Sequence, residues 1–429
     1  MSFLAHRVSA ARVSRRAGVC VAVIASLIPS AAIATSASLS LVEATRLAVE
    51  RAPILDARRA SVSAAQEEAA RAGALPDPTL LVGIDNLPVT GTDAFDFSAD
   101  EMTMKRIGLR QEIPARAKRE ARRTLAARAI DEAQALSAAQ QLTVRRAAAE
   151  AWIDLWAAQR ELVSLQALRD QAALAAKLAK ARVAGGAATV TDALAAQAAV
   201  LELDNRIEAL RSSQLAAQAG LARWLGDSDI ETTTDTPDFT ALPVPEARLL
   251  SAIDRLGPLL PITAQVESAA AAIDVARAEK RPDWSVGASY GQRTGGRSDM
   301  ILVEIGIGLP LFTRNRQDRG VAAREAEYQA ALAGREDVRR QQIAQIRADI
   351  ARWEGLKRQV TLHEASLLPL ANDRSAIALA GYRAGGNIQS WLDAQRDELN
   401  IHLSHAEHLG ELGRAWAALA YLLPSETQP

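Results

Sequence analysis

The chain says the same thing twice. AGGAATVTDALAAQ, from Ala184 to Gln197, is answered by AGGNIQSWLDAQ, from Ala384 to Gln395. Around these runs Pro53 corresponds to Pro258, Pro78 to Pro282, Gly83 to Gly287, Pro114 to Pro310 and Gly185-Gly186 to Gly385-Gly386. The matches keep one order at offsets between 196 and 205 residues. Five ordered matches make the chain a tandem duplication, so its fold is expected to consist of two like halves.

Each half follows one script: helix, short strand, loop, short strand, very long helix, Gly-Gly turn, return helix. In the first repeat (35–226) a helix runs from Leu41 to Arg71, with Ser40 as its cap and Pro53 as a break. A strand pair follows at about 78–113, then a long helix over 115–183 and a return helix over 191–225. The long helix lacks any Pro or Gly and would reach roughly 100 Å. Val144, Ala148, Ala151, Leu155, Ala158, Leu162 and Leu165 alternate steps of four and three along it, which predicts a coiled-coil seam. The return helix is about half as long, so it and the first helix, end to end, would match the long one. The second repeat (246–429) has its strand pair at about 282–310, its long helix over 317–384 and its return over 390–423. Gly320, Gly334, Gly355, Pro369 and Gly381 are weak points in that second rod. Residues 227–245 are polar and Pro-containing, and read as a linker outside the rods.

Lys+Arg (50) and Asp+Glu (51) nearly cancel, which argues against a nucleic-acid partner. Arg7, Arg12, Arg15 and Arg16 precede the apolar run Val19–Ile28 and the small-residue site Ala32-Ile33-Ala34, so 1–34 reads as an export signal. Cys20, the only cysteine, falls inside that segment, and the mature chain is expected to have no disulfide or thiolate site. No later run looks apolar for about 18 residues, so no spanning helix is expected. H-E-x-x-H and a P-loop are absent, and Gly306-x-Gly308 sits within a strand pattern, so neither enzyme chemistry nor a cofactor is expected.

The strands decide the class. Ile301, Val303, Ile305, Ile307 and Leu309 alternate with Leu302, Glu304, Gly306 and Gly308. Trp284, Val286, Ala288 and Tyr290 alternate with Ser285, Gly287, Ser289 and Gly291. Ile107, Leu109 and Ile113 do so with Arg106, Gly108, Arg110 and Glu112, Gln111 being the exception, and Leu80, Val82 and Ile84 more loosely. Such segments fit strands between lipid and a wet lumen, or half-buried soluble hairpins. Four strands cannot close a barrel, and open edges are not tolerated in lipid. A membrane reading therefore needs several copies; three would supply twelve strands.

With GLRQEIP (108–114), GIGLPLF (306–312) and the two Gly-containing tips, the chain resembles the TolC-like outer-membrane efflux family over its mature length. ALPDPTLLVGIDNLP (74–88) and MTMKRIGLRQEIP followed by ARAKREARR (102–123) are most similar to its heavy-metal branch, which serves cobalt–zinc–cadmium or copper–silver exporters. The resemblance implies a mostly α fold of tandem coiled-coil rods with four transmembrane β-strands per chain. It implies a homotrimer with a shared 12-stranded barrel in outer-membrane lipid and a helical tunnel through the periplasm, working with a periplasmic adaptor and an inner-membrane pump of the resistance–nodulation–division class. Multidrug efflux or type I secretion is the alternative cargo. A soluble periplasmic scaffold or adaptor is the alternative of another class.

The Gly185-Gly186 and Gly385-Gly386 turns are then the adaptor-contacting tips at the far end of the rods. Asp393 resembles the family's constriction carboxylate, Asp192 is its counterpart, and Tyr382 resembles a tip tyrosine that bonds the neighbouring hairpin. The plainer readings are a helix-start carboxylate and a packed ring. Ser390 stands where a second acid is usual, and the second turn is one residue short. Arg116, Lys118, Arg119, Arg122 and Arg123, with Arg314, Arg316 and Arg319, could meet lipid phosphates or simply face solvent. His402, His405 and His408 recur at i, i+3, i+6, where neighbours could share a metal, although the set drifts around the helix. Met102 and Met104 alone make no copper site.

Overall fold

The computed structural model describes residues 38–227, 230–233, 237–294 and 296–424; the expected export signal lies outside them. Helices α1 (Leu41–Arg51) and α2 (Pro53–Arg71) precede strands β1 (Thr79–Asp85) and β2 (Met104–Ile113), the rod α3 (Arg116–Ala184) and the return α4 (Val190–Leu225). Then come α5 (Glu246–Ser251), a 3-10 turn, α6 (Leu259–Ala278), β3 (Asp283–Arg293) and β4 (Met300–Gly308). The second rod is α7 (Gln317–Leu362), a π-helical turn (His363–Leu367) and α8 (Leu368–Arg383), returning as α9 (Ile388–Ala420).

Each rod is matched by two shorter helices. Ser40 and Glu43 form a reciprocal capping box at the start of α1, and Pro53 opens α2, where its missing N–H costs nothing. Arg51, at the break between α1 and α2, donates to the terminal carbonyl of Leu225, so α4 meets that break end to end alongside α3. In the second half Gly257 donates to Leu422, which joins the approach to α6 to the end of α9. The α3 seam buries Val144, Ala148, Leu155, Ala158 and Leu165, with Ala151 and Leu162 half-buried. By length and apolarity α6 could cross a membrane, contrary to expectation. It packs on α3 and α7 and belongs to the rods.

The glycines at 320, 334 and 355 do not interrupt α7. The break comes next to Pro369, whose ring cannot supply an N–H to the preceding turn; the widened π turn accommodates it. The described residues of the 227–245 segment do not hang free. Phe239 is 2% exposed, and the indoles of Trp353 and Trp416 donate to the carbonyls of Phe239 and Ala241 at 2.8 Å each. Trp152 donates to Leu39, so three indoles pin the segments that cross the rods' waist. Burying backbone carbonyls requires such donors.

The strands form one antiparallel sheet in the order β1-β2-β3-β4 rather than two separate pairs, because β2 also pairs with β3 along its length. Register places Leu80, Leu109, Ala288 and Val303 in one row, and Val82, Ile107, Tyr290 and Ile301 in the next, all on one face. That face is open: Val82 is 74% exposed and Ile301 79%. The other face carries Arg110, Gly287 and Glu304 in one row; the glycine leaves room for Arg110 to reach Glu304 at 3.2 Å across β3. Small residues crowd here. A Cβ on Gly108 would meet the Cβ of Ser289 and lie 2.7 Å from the Ala288 carbonyl. The run Gly287–Gly291 spells G-x-S-x-G, but it lies inside β3, paired on both sides, and not on the strand-to-helix turn a nucleophile needs.

Gly108→Val should therefore lower the stability of the detergent-solubilised protein by about 1–3 kcal/mol through overpacking. Gly83→Val, where a Cβ meets nothing within 4 Å, should be tolerated. Thermal melts of the two variants check this.

Candidate functional site

The two hairpin tips share a core. Leu165, Leu168, Ala172, Ala175 and Ala179 of α3 pack with Leu203 and Ile207 of α4 and with Tyr382, Trp391 and Leu399 of the second hairpin. Alanine on α3 lets these helices approach closely, and the aromatic rings fill the space that remains.

The turns use their paired glycines differently. In the first, Gly186 takes the left-handed conformation (φ 71°); in the second it is Gly385 (φ 111°). Five residues separate α3 from α4 and four separate α8 from α9, so the second turn is the tighter. Thr189 and Asp192 make a capping box: Thr189 Oγ1 accepts from Asp192 N–H at 3.2 Å and the Asp192 carboxylate accepts from Thr189 N–H at 3.0 Å. Asp192 is thus committed to its helix start. Asp393 is half-exposed on α9, accepting from Gln389 Nε2 at 2.8 Å with Arg396 at 3.9 Å.

Tyr382 is 2% exposed, and its hydroxyl has no partner among the described residues. The contact between hairpins is made by its ring and carbonyl. Arg182, at the end of α3, stacks its guanidinium 4.5 Å over the ring and donates to the Tyr382 and Ala187 carbonyls. Arg182 thereby clasps both tips. Sequence reading passed over it, because nothing local marks one arginine among many; its partner lies 200 residues away. Nearby, Glu398 is buried between α9 and α8, and burial raises its carboxyl above the ordinary range despite a hydrogen bond from Ser375.

The basic cluster at the top of α3 is a clamp. Lys118, 7% exposed at its side chain, pairs with Asp283 at 2.7 Å and Glu279 at 3.1 Å, and Asp283 also accepts from Ala115 N–H. Burial would lower the Lys118 pKa, but the hydrogen bonds to Asp283 and Glu279 outweigh it and raise it. Arg116 pairs with Glu120, and Arg122 with Glu279. Lys118 ties the rod to the first residue of β3 and Arg122 ties it to the end of α6, whereas Arg116–Glu120 lies within α3; Lys118 is not available to lipid. Arg314, Arg316 and Arg319 stay exposed beside Leu311 (72%) and Phe312 (82%).

The histidines of α9 are joined by a fourth that sequence reading missed, His363 from the π turn. Its ring lies 5.9 Å from that of His405 and 5.2 Å from that of His408. Burial holds His363, His402 and His405 below the usual imidazole range. As these side chains stand, no three His, Cys, Asp or Glu among the described residues are placed to hold a metal.

The family model of outer membrane efflux proteins matches residues 44–227 and 258–424, both repeats. The chain belongs to that family. The cobalt-zinc-cadmium resistance protein CzcC of Cupriavidus metallidurans is 29% identical over 313 residues, 70% of this chain and 72% of the relative. Among solved structures, a membrane protein of Pseudomonas aeruginosa has a TM-score of 0.76 at 18% identity, covering 89% of this chain and 91% of its own. CusC, whose structures concern folding and transmembrane channel formation, has 0.76 at 14% identity, with 89% and 92% covered. The protein is an outer-membrane efflux channel, mostly helical, and a family of transport channels replaces the soluble-scaffold alternative.

Two outcomes test this geometry. Asp283→Asn should cost this efflux channel about 1.5–3 kcal/mol, since it takes the charge from the acceptor that faces a buried ammonium; thermal melts check this. Glu398 binds its proton more tightly folded than unfolded, so its contribution to stability falls as pH rises through the carboxylate range. Glu398→Gln should raise the melting temperature at pH 8 and make no difference at about pH 4.

Proposed function

We propose that three copies of this chain close β1 of each sheet on β4 of the next, making a twelve-stranded barrel from four strands per chain. The observation that carries this reading is the exposed apolar face of the sheet, with both edges unpaired. Acyl chains suit that face, and a neighbouring strand suits each edge. The opposite face, with Arg110–Glu304 and Arg106–Asp85 pairs among glycines and serines, lines a wet lumen. Residues 1–34 serve as the export signal that delivers the chain to the envelope.

The rods then form a passive tunnel. Its cargo is heavy-metal cations, a reading supported by the cobalt-zinc-cadmium resistance relative and by the heavy-metal-like runs at 74–88 and 102–123. A periplasmic adaptor docks at the Gly185-Gly186 and Gly385-Gly386 tips, and a resistance–nodulation–division pump in the inner membrane supplies the energy. At the constriction Asp393 faces its two symmetry copies, where clustered carboxylates attract cations. Arg182 and Tyr382 hold the two hairpins of each chain together, and Asp192 stiffens the first turn through its cap.

A deletion strain measures the cargo directly. It should lose tolerance to cobalt, zinc or cadmium while its tolerance to a panel of antibiotics is unchanged; the reverse pattern would make this a multidrug duct. In reconstituted channels Asp393→Ala should weaken block by divalent cations severalfold, and Arg182→Ala should raise the resting conductance. Unchanged block would remove Asp393 from the constriction.

A further inference from the structure

Of the four histidines beyond residue 37, three meet at one place on the second rod, and the duplication supplies an internal control on why. By the hairpin offsets, His363 corresponds to Val163 on α3, and His402, His405 and His408 to Asp204, Ile207 and Leu210 on α4. There α3 runs through as one unbroken α-helix. The first repeat therefore makes the same rod and return without the π turn and without a single imidazole. Packing alone does not ask for them.

The chemistry of the cluster is specific. His363 is 8% exposed, and a hydrogen bond with the backbone of Ile401 occupies its ring, while its Nδ1 is buried with no partner. A ring held by a backbone group on one nitrogen, with a lone pair free on the other, is the arrangement of a metal-ligating histidine. The Nδ1 atoms of His405 and His408 are likewise buried and unpartnered. Three orphan nitrogens in one patch are costly unless something binds them. Glu364, on the same π turn, brings its carboxylate to 3.9 Å from His405 Nε2.

We infer that His363, His405 and His408 form a binding site for one borderline transition-metal cation of the zinc or cobalt type, bridging the π turn to α9, with Glu364 at the far nitrogen of His405 as the outer carboxylate that orients its ring. Two imidazoles on one tetrahedral ion have ring centres about 5 Å apart, given metal–nitrogen bonds of about 2.0 Å. His363 and His408 stand at 5.2 Å and His363 and His405 at 5.9 Å. The rings are at ligand spacing but not yet in ligand orientation, and side-chain rotation completes the set. Imidazole ligands favour zinc and cobalt over calcium or magnesium. Arg160, on the facing α3, is the cation that opposes binding; it lies over Trp156 at 5.3 Å. His402 stands apart, its Nε2 3.3 Å from Asn372 Oδ1. A metal here would fasten α9 to the π turn, the one irregular point in either rod, whatever the duct carries.

Equilibrium dialysis of the purified detergent-solubilised channel, carrying no histidine tag, against zinc and cobalt(II) tests this. One ion per chain is expected, with cobalt giving the visible absorption of a tetrahedral site and zinc raising the melting temperature. His408→Gln, on the half-buried edge of the cluster, should weaken binding at least tenfold, as should His363→Gln if circular dichroism shows it folded. His402→Gln should bind as the parent does. Equal binding by the parent and by His408→Gln, no stoichiometric ion, or loss in His402→Gln alone would each overturn the assignment. None of these outcomes depends on the metal-tolerance result, because each reads the purified chain.

Discussion

A β-sheet with two open edges and one open apolar face cannot be at rest in water. Every unpaired N–H and C=O on β1 and β4 needs a partner, and Leu80, Val82, Ile301, Val303 and Ile305 need cover. The rest of the molecule is arranged around that demand. Glycine and serine on the opposite face let the strands crowd on that side, at Gly108 against Ser289 for example. The Lys118–Asp283–Glu279 clamp fixes the point at which the first rod leaves the sheet. In a low-dielectric surround such a clamp gains strength, because water competes less for its charges.

Duplication explains the rods. A long helix with alanine along its seam finds a partner of equal length only if shorter helices meet end to end beside it, and both halves solve this alike, through Arg51–Leu225 and Gly257–Leu422. Indole donors lash the crossing segments at the waist, and the tips share one core with Arg182 as the clasp. The two halves differ where symmetry is not needed: in which glycine turns left-handed, and in the π turn that carries His363.

Periodicity made the rods, the return helices and the strand faces legible, because each is set by local spacing. Pro53 and Ser40 marked their boundaries for the same reason. What escaped is long-range. Nothing in the sequence paired β2 with β3, and nothing marked Arg182 or showed that Lys118 is buried among acids instead of facing lipid. The linker looked free because its polar residues are visible in sequence, whereas the indoles that hold it come from more than 100 residues away. His363 escaped because its partners sit on another helix and a turn of irregular pitch aims it at them.

The central claim is that one face of the sheet meets acyl chains and the other meets water. The described chain has no cysteine, so nitroxide labels can be set singly at Val82, Val303 and Ile305, and at Ser289 and Glu304 on the other face. In reconstituted bilayers the first three should relax with oxygen and ignore a water-soluble nickel complex, and the last two should do the opposite. Equal access of the nickel complex to both faces would contradict the account.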